Sequence, residues 1–336
     1  MRPCFLPPEV KTADFDYALP KDLIAQQPLA DRAGSRMMVV YRASGEIRHD
    51  HFRNLPNYLR PGDLLVLNNT KVIPARIWST KPNLELLLVE NLGNNRWSAL
   101  VKPGHRAKKG QHLFFTPWLS AVVEGETEFG GRLLRFTGNV ESYLQHHGVP
   151  PLPPYIKRAA TASDRDRYQT VFAQTPGAIA APTAGLHFTP DILAKLPHTF
   201  ITLHVGIGTF QPVKVENIEQ HRMHPERFTI TDEAASAIRS AKRVVAVGTT
   251  VVRALESAAR SARGLCASTG VTDLFIHPPF QFRVVGALLT NFHLPKSTLL
   301  MLVCAFGGRE LILRAYAEAV REKYRFFSYG DCMLIL

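Results

Sequence analysis

Leu84-Glu85-Leu86-Leu87-Leu88-Val89-Glu90 leads to Gly93-Asn94-Asn95 and then to Arg96-Trp97-Ser98-Ala99-Leu100-Val101. Two apolar runs of strand length with a glycine–asparagine turn between them read as a β-hairpin. The texture continues outward. Leu113 to Phe115, Leu119 to Val123 and Arg132 to Phe136 read as further strands, with Gly130-Gly131 as the turn before the last. Short strands at this spacing, without a helix between them, predict a small closed or sandwiched β-domain. It starts after Arg76 and ends where Pro150-Pro151-Leu152-Pro153-Pro154 stiffens the chain.

On both sides of this block, helix and strand periods alternate. Before it, Asp22 to Gln27 and Asp50 to Leu59 read as helices, and Met37 to Tyr41 and Leu64 to Leu67 as buried strands. After it, Ile201 to Val205 and Val244 to Val247 read as strands, while Asp232 to Arg243, Val251 to Arg260 and Glu310 to Tyr324 read as helices. In the last of these, Ile312, Ala315, Tyr316, Ala319 and Val320 fall on one stripe at helical spacing. The expected architecture is an α/β body, residues 1–75 and 151–336, interrupted by an inserted β-domain at 76–150.

The composition belongs to a folded, soluble chain: 336 residues, 46% hydrophobic and 20% charged. That excludes a disordered tail protein. Lysine and arginine number 40 against 28 acids, a formal charge of +12. Such an excess favours a polyanionic partner, a solvated basic surface being the alternative. Cys4, Cys266, Cys304 and Cys332 are scattered and read as free thiols. The N-terminus has no apolar leader, and the longest apolar run, Leu299 to Phe306, is far too short to span a membrane. A cytoplasmic protein is expected.

Several familiar chemistries are absent. Gly206-Ile207-Gly208 lacks the third glycine of a dinucleotide fingerprint, and no P-loop, nucleophile elbow or H-E-x-x-H helix occurs. The nearest approach to a metal pattern is His221-Arg222-Met223-His224-Pro225-Glu226, where Pro225 breaks the helix that two ligands on one face would need. No metal site is expected.

Polar groups that packing would not require are concentrated in four segments: Ala181 to Thr189 with Thr183 and His187, Leu203 to Phe210 with His204, Gly206 and Gly208, the His221 to Glu226 cluster, and Thr290 to Ser297 with Asn291 and His293. Thr189 is placed to cap a helix from Pro190. Five histidines in loops and strand ends suggest proton transfer near neutral pH. Val247-Gly248-Thr249-Thr250-Val251-Val252-Arg253 reads as strand, glycine and helix start, suited to a carboxylate or phosphate or to ordinary capping. Lys102, His105, Arg106, Lys108 and Lys109, with Trp97 and Trp118, could track a nucleic-acid backbone and stack bases, or form a solvated hairpin loop. Lys157, Arg158, Arg165 and Arg167 make a second basic cluster, diluted by Asp164 and Asp166.

Taken together and in this order, these segments resemble the S-adenosylmethionine:tRNA ribosyltransferase-isomerases of the queuosine pathway. The resemblance is carried by Asn68 to Arg76, Leu152 to Ile156, Asp166 to Phe172, Ala180 to Thr189, Leu203 to Val213, His221 to Glu226, Val247 to Ser257, Leu289 to Ser297 and Tyr324 to Leu334. Ile207 and Pro278-Pro279-Phe280 depart from the family pattern, and the stretch up to Thr12 is outside it.

The resemblance implies a barrel-like α/β body with an inserted small antiparallel β-barrel domain and a cleft between them. It implies transfer and isomerisation of the ribosyl part of S-adenosylmethionine onto 7-aminomethyl-7-deazaguanine at the tRNA wobble position. The products are epoxyqueuosine-tRNA, adenine and methionine. S-adenosylmethionine is consumed as a cosubstrate, with no other cofactor, and a monomer is expected.

On that mechanism the catalytic candidates are His187, His204, His221, His224 and His293, with Glu226 as orienter or base and with His187 and His224 foremost. Thr249, Thr250 and Arg253 are candidates for the methionine carboxylate, Asn291 for the purine or ribose, and Thr183, Gly206 and Gly208 for further substrate contacts. Lys102, Arg106, Lys108, Lys109, Lys157 and Arg158 are candidates for tRNA. His187, His224 and Arg253 are expected to share one hollow. Two other readings stay open: a noncatalytic RNA-binding protein that uses the β-insert, and another S-adenosylmethionine-consuming enzyme with a small-molecule acceptor.

Overall fold

The structure, a computed structural model, describes residues 10–128, 130–206, 208, 213 and 215–336. The stretch preceding Val10, which includes Cys4, lies outside the described residues, as do Ile207, Thr209 and Phe210 of the histidine–glycine segment.

Four strands precede the β-rich block: β1 (Arg36–Val40), β2 (Ile47–His51), β3 (Asp63–Asn68) and β4 (Thr70–Val72). The block itself supplies β5 (Arg76–Ser79), β6 (Leu84–Gly93), β7 (Arg96–Lys102), β8 (His112–Thr116), β9 (Leu119–Glu126) and β10 (Arg132–Phe136). After it come β11 (Thr175–Ala178), β12 (His198–Leu203), β13 (Glu226–Ile230), β14 (Arg243–Val247), β15 (Ser268–Thr272), β16 (Val285–Asn291) and β17 (Cys332–Ile335). The α-helices are α1 (Val140–His147), α2 (Asp164–Arg167), α3 (Pro190–Ala194), α4 (Asp232–Ser240), α5 (Thr249–Ala258), α6 (Thr298–Gly307) and α7 (Arg309–Arg321).

β5 to β10 form one antiparallel sheet in the order β5-β6-β7-β10-β9-β8. A bridge between Lys81 and Phe114 brings its two ends together, so the barrel is nearly closed. The turn residues Asn94 and Asn95 both take positive φ, the geometry that matches the twist of a tight hairpin. Inward positions alternate along the strands: Leu84, Leu86 and Leu88 face Trp97 and Ala99 in one buried cluster, which Val140, Tyr143 and Leu144 of α1 complete.

Nine strands form the larger sheet, in the order β15-β13-β12-β3-β14-β16-β17-β1-β2. Its central strands are buried on both faces, which explains their nearly continuous apolar sequence. Met38, Val66, Val244 and Leu288 face α4 to α7, while Met37, Leu65, Val245 and Leu289 face Phe52, Leu55 and Phe188 on the other side. Among the described residues no pairing joins its two edge strands, so an open sheet stands where a barrel-like body was expected. Its edges are β2 (Ile-Arg-His-Asp-His) and β15 (Ser-Thr-Gly-Val-Thr), whose polar, largely exposed residues suit a free edge.

Some local expectations also change. The segment read as a helix from Asp50 to Leu59 gives the end of β2 and a 3₁₀ turn, Phe52–Tyr58, because Pro56 cannot donate to a longer helix. From Asp22 to Gln27 only a 3₁₀ turn, Lys21–Leu23, forms. Thr189 caps α3 as expected, its hydroxyl accepting from the Ile192 N–H at 3.3 Å.

Candidate functional site

β12, β3, β14 and β16 are adjacent and mutually parallel. Their carboxyl ends therefore emerge side by side, where open α/β sheets offer a binding crevice. Asn68 joins two of these ends, since its side chain donates to the Leu203 carbonyl at 2.8 Å and accepts from the Leu203 N–H at 3.0 Å. A hollow with about 660 Å³ of empty space lies here. It is lined by Thr183, Thr249, Thr250, Asn291 and His293 from the expected set, and by the aromatic residues Tyr155, Tyr168, Phe292 and Phe327. Among the described residues, no Asp, Glu, Lys or Arg lines it.

One wall is the start of α5. Gly248, at φ +99, turns the chain from β14 into the helix, and no side chain caps it. The first N–H groups of the helix are therefore free of intrahelical partners. Thr250 Oγ1 beside them is buried without a hydrogen-bond partner. At the far end of this helix the fully buried Glu256 accepts from the N–H groups of Arg283, Val284 and Val285, which fixes α5 against the start of β16.

His293 is the one histidine that lines this hollow. Its Nε2 meets Thr290 Oγ1 at 2.7 Å, and its own N–H donates to the Tyr316 hydroxyl at 3.0 Å. Burial pushes the imidazole down to about 3, so it is neutral at physiological pH. His187 is one layer behind. Its Nδ1 meets Ser35 Oγ at 2.9 Å and its Nε2 meets Asn291 Oδ1 at 3.3 Å, while Asn291 Nδ2 donates to the Phe327 carbonyl at 2.9 Å. Burial holds His187 at about 4. The ring therefore fixes the Asn291 amide and touches the hollow only through it.

A second region adjoins the hollow at Val205: a groove with about 1050 Å³ of empty space, lined by β6 residues on one side and by His204, Gly206 and Glu226 on the other. Arg227 and Glu90 span it with an ion pair at 2.7 Å. Glu226 is buried, accepts from the Gly206 N–H at 2.9 Å and is ion-paired with Arg253. His204 Nδ1 meets Thr70 Oγ1 at 2.9 Å. Burial lowers the pKa values of His204, His221 and His224. His224 sits against Gly208, where a Cβ would come within 2.9 Å of its own Cβ. His221 packs edge-on to Phe275.

Arg253 lies elsewhere than expected. Besides Glu226, its guanidinium donates to the carbonyls of Leu274 (3.1 Å) and Thr272 (3.3 Å), and the residue is only 4% exposed. Among the described residues, none of the five cavities is lined by more than one of His187, His224 and Arg253. His224 and Arg253 both neighbour Glu226, while His187 is held by Ser35 and Asn291, so the three share none of these hollows.

The basic candidates divide likewise. Lys102, Arg106, Lys108 and Lys109 are exposed at one end of the six-stranded sheet, and Lys157 is exposed on the body. Arg158 instead grips the buried Asp164 bidentately, at 2.7 Å on each arm, and is a structural clamp. Trp97 is core, placed inward by the strand alternation, so only Trp118 of the expected aromatic pair is exposed. Tyr155, Tyr168, Phe292, Phe327 and Ser328 line the hollow without having been singled out; all but Phe327 and Ser328 precede or follow a motif residue by a few positions, and every one falls in a segment that carried the family resemblance. Among the described residues, no group of three or more His, Cys, Asp or Glu is placed to hold a metal ion, and no helix is long and apolar enough to cross a membrane.

The family model for the queuosine biosynthesis protein matches residues 12–335. The S-adenosylmethionine:tRNA ribosyltransferase-isomerase of Carboxydothermus hydrogenoformans is 52% identical, and that of Halothermothrix orenii 49%, each alignment covering 97% of this chain and all of the relative. The crystal structure of the S-adenosylmethionine tRNA ribosyltransferase of Thermotoga maritima superposes with a TM-score of 0.56 at 41% identity, covering 96% of this chain and all of that one.

Proposed function

The chain belongs to the queuosine biosynthesis protein family, and from that premise we propose that it is an S-adenosylmethionine:tRNA ribosyltransferase-isomerase. It transfers and isomerises the ribosyl moiety of S-adenosylmethionine onto 7-aminomethyl-7-deazaguanine at the wobble position, giving epoxyqueuosine-tRNA, adenine and methionine. S-adenosylmethionine is consumed and no other cofactor takes part. The protein acts as a cytoplasmic monomer. Residues 76–150 serve as an inserted β-barrel domain on a main domain of 1–75 and 151–336.

The observation that carries this reading is the uncharged, aromatic-lined hollow at the carboxyl ends of four parallel strands. Such a hollow suits a nucleoside whose charge is a sulfonium, because aromatic faces attract a soft cation where a carboxylate is missing. The start of α5 suits the methionine carboxylate through its free N–H groups and Thr249 and Thr250. Thr183 and Asn291 suit the purine or ribose.

The sulfonium acidifies the adjacent ribose 5′ C–H, and a neutral imidazole in the hollow is a base for that proton. Of the five candidate histidines His293 alone lines the hollow, and on that ground we favour it over His187 and His224 as the base, even though the burial that keeps it neutral also weakens its basicity. His187 acts by positioning Asn291, and Glu226 by orienting Gly206 in the groove that His204 lines, with His221 and His224 close by in the chain. Lys102, Arg106, Lys108, Lys109 and Lys157 meet the tRNA backbone.

Incubation of the protein with S-adenosylmethionine and tRNA carrying the aminomethyl base tests this. Free adenine is expected only when that tRNA is present. Adenine without tRNA points to a small-molecule acceptor, and tRNA binding without adenine to a noncatalytic RNA-binding protein; either result defeats the proposal.

A further inference from the structure

Behind Asn291 a second, smaller hollow shares Ser328 with the first and is lined by Arg32, Ser35, Arg167, His187 and Tyr329. Arg32 and Arg167 line this place and Arg325 acts on its His187 from close by, and neutral main-chain oxygens hold all three. Arg32 donates to the carbonyls of Leu186 at 3.0 Å and Asp166 at 2.9 Å. Arg167 donates to the carbonyls of Ala30 at 3.0 Å and Leu29, and Arg325 to that of Gln27. Arg167 Nε and Arg325 Nη1 are buried donors with no hydrogen-bond partner.

None of the three forms an ion pair among the described residues. Asp164 is engaged by Arg158 and Tyr329; Asp331 accepts from the N–H groups of Arg36 and Arg325 and offsets part of the Arg325 charge at a distance, as the exposed Asp166 does for Arg32. The crowding of positive charge registers on its members. Burial first, and then Arg167, lowers the pKa of Arg32; Arg32 and Arg325 add to the burial that lowers His187.

Like charges brought together and partly desolvated destabilise a fold unless a ligand neutralises them. Carbonyl-held guanidinium forks with spare donors match the geometry of an oxyanion. Among the described residues no Asp, Glu, Lys or Arg lines the main hollow, so the guanidinium groups next door are the neighbouring compensation for the phosphate of a nucleotide delivered there. We propose that Arg32, Arg167 and Arg325 form a phosphate seat for a phosphodiester of the tRNA strand that presents the aminomethyl base. The proposal rests on the tRNA reading above and adds a defined phosphate contact to it.

The test measures binding of the full-length protein to tRNA carrying the aminomethyl base across a salt series, and binding of S-adenosylmethionine by calorimetry. Arg167→Gln and Arg325→Gln are compared with Arg263→Gln, which removes one exposed charge far from any contact argued here. Thermal unfolding confirms that each variant folds, and the neutral Arg167→Met, which keeps the apolar stem, replaces Arg167→Gln if the latter does not. Each seat variant should weaken tRNA binding roughly tenfold and reduce the log–log salt slope by about 1. S-adenosylmethionine affinity should stay unchanged, and Arg263→Gln should leave tRNA affinity within about twofold.

Unchanged tRNA affinity and slope in folded seat variants would overturn the proposal. So would a loss confined to S-adenosylmethionine, which would place its carboxylate here instead. Adenine release by the unsubstituted protein, measured in parallel, separates the two readings: if it occurs while the variants bind tRNA normally, only the seat fails.

Discussion

The hollow beneath β14 and β16 and the groove against β6 meet at Val205, yet they are made of opposite materials. The hollow offers aromatic faces, hydroxyls, one amide and a neutral imidazole, and no formal charge. The groove is lined by Glu90, Arg227, Glu226 and His204. In the hollow, selection must come from shape and neutral hydrogen bonds, which a low local dielectric strengthens. In the groove, charges already satisfy one another, and their work is to hold the Gly206 loop and β13 in place. The difference separates residues that touch substrate from residues that hold the wall. It also shows why histidine count alone does not locate the chemistry.

The largest effect expected from this contrast concerns the imidazole of the hollow. His293→Gln should lower adenine release by roughly 10²- to 10⁴-fold, the range for removal of a general base. The same substitution at His224 should cost about tenfold or less if that ring only packs against Gly208. Single-turnover adenine release at saturating S-adenosylmethionine reads both. Equal losses at the two positions would erase the distinction between hollow and groove. A near-normal rate for folded His293→Gln would remove it as the base.

A second effect belongs to the groove and to stability. Glu226→Ala leaves Arg253 buried without its counter-charge, and breaking a buried pair from one side typically costs about 3–5 kcal/mol. Urea unfolding should show that loss, and the double substitution Glu226→Leu with Arg253→Met should recover much of it, since both charges then leave together. A loss below about 1 kcal/mol for Glu226→Ala would mean that the pair is exposed enough to be screened, as surface pairs are. Glu226 would then be available for chemistry and not committed to the wall.

How far the sequence reveals this contrast depends on the kind of signal. Alternation is a strong one. It marks β6 to β10 as a barrel wall, and read strictly it also sends Trp97 inward with Ala99, against its use as a stacking platform. The strand–glycine–threonine start of α5 and the Thr189 cap are equally local and equally legible. The partners of buried charges are not. Arg253 and Glu226 are 27 positions apart and meet only because β13 and β15 bring Thr272 and Glu226 face to face beside α5. Arg158 reads as an RNA contact until Asp164, 6 positions on, takes both arms of its fork. Tyr155, Phe327 and Ser328 come from irregular segments, where no period says which way a side chain faces.

The smallest of the expected effects tests the neutrality on which the hollow depends. His187 and His293 titrate at about 4 and about 3 in the fold, below the ordinary value near 6.5 that an unfolded chain would show. Between those limits the unfolded chain binds more protons than the native one, so stability rises with pH. The contribution is complete above pH ~6.5 and is lost as pH falls towards the folded values. Moving from pH ~7 to ~5 should therefore cost about 2 kcal/mol for each ring. His187→Gln should flatten the urea-midpoint profile over that interval by one ring's share. If His187→Gln preserves the full slope, the ring is already solvated or charged in the native protein. Asn291 would then lack the neutral partner that sets its amide, and the hollow would lose the feature that distinguishes it from the groove.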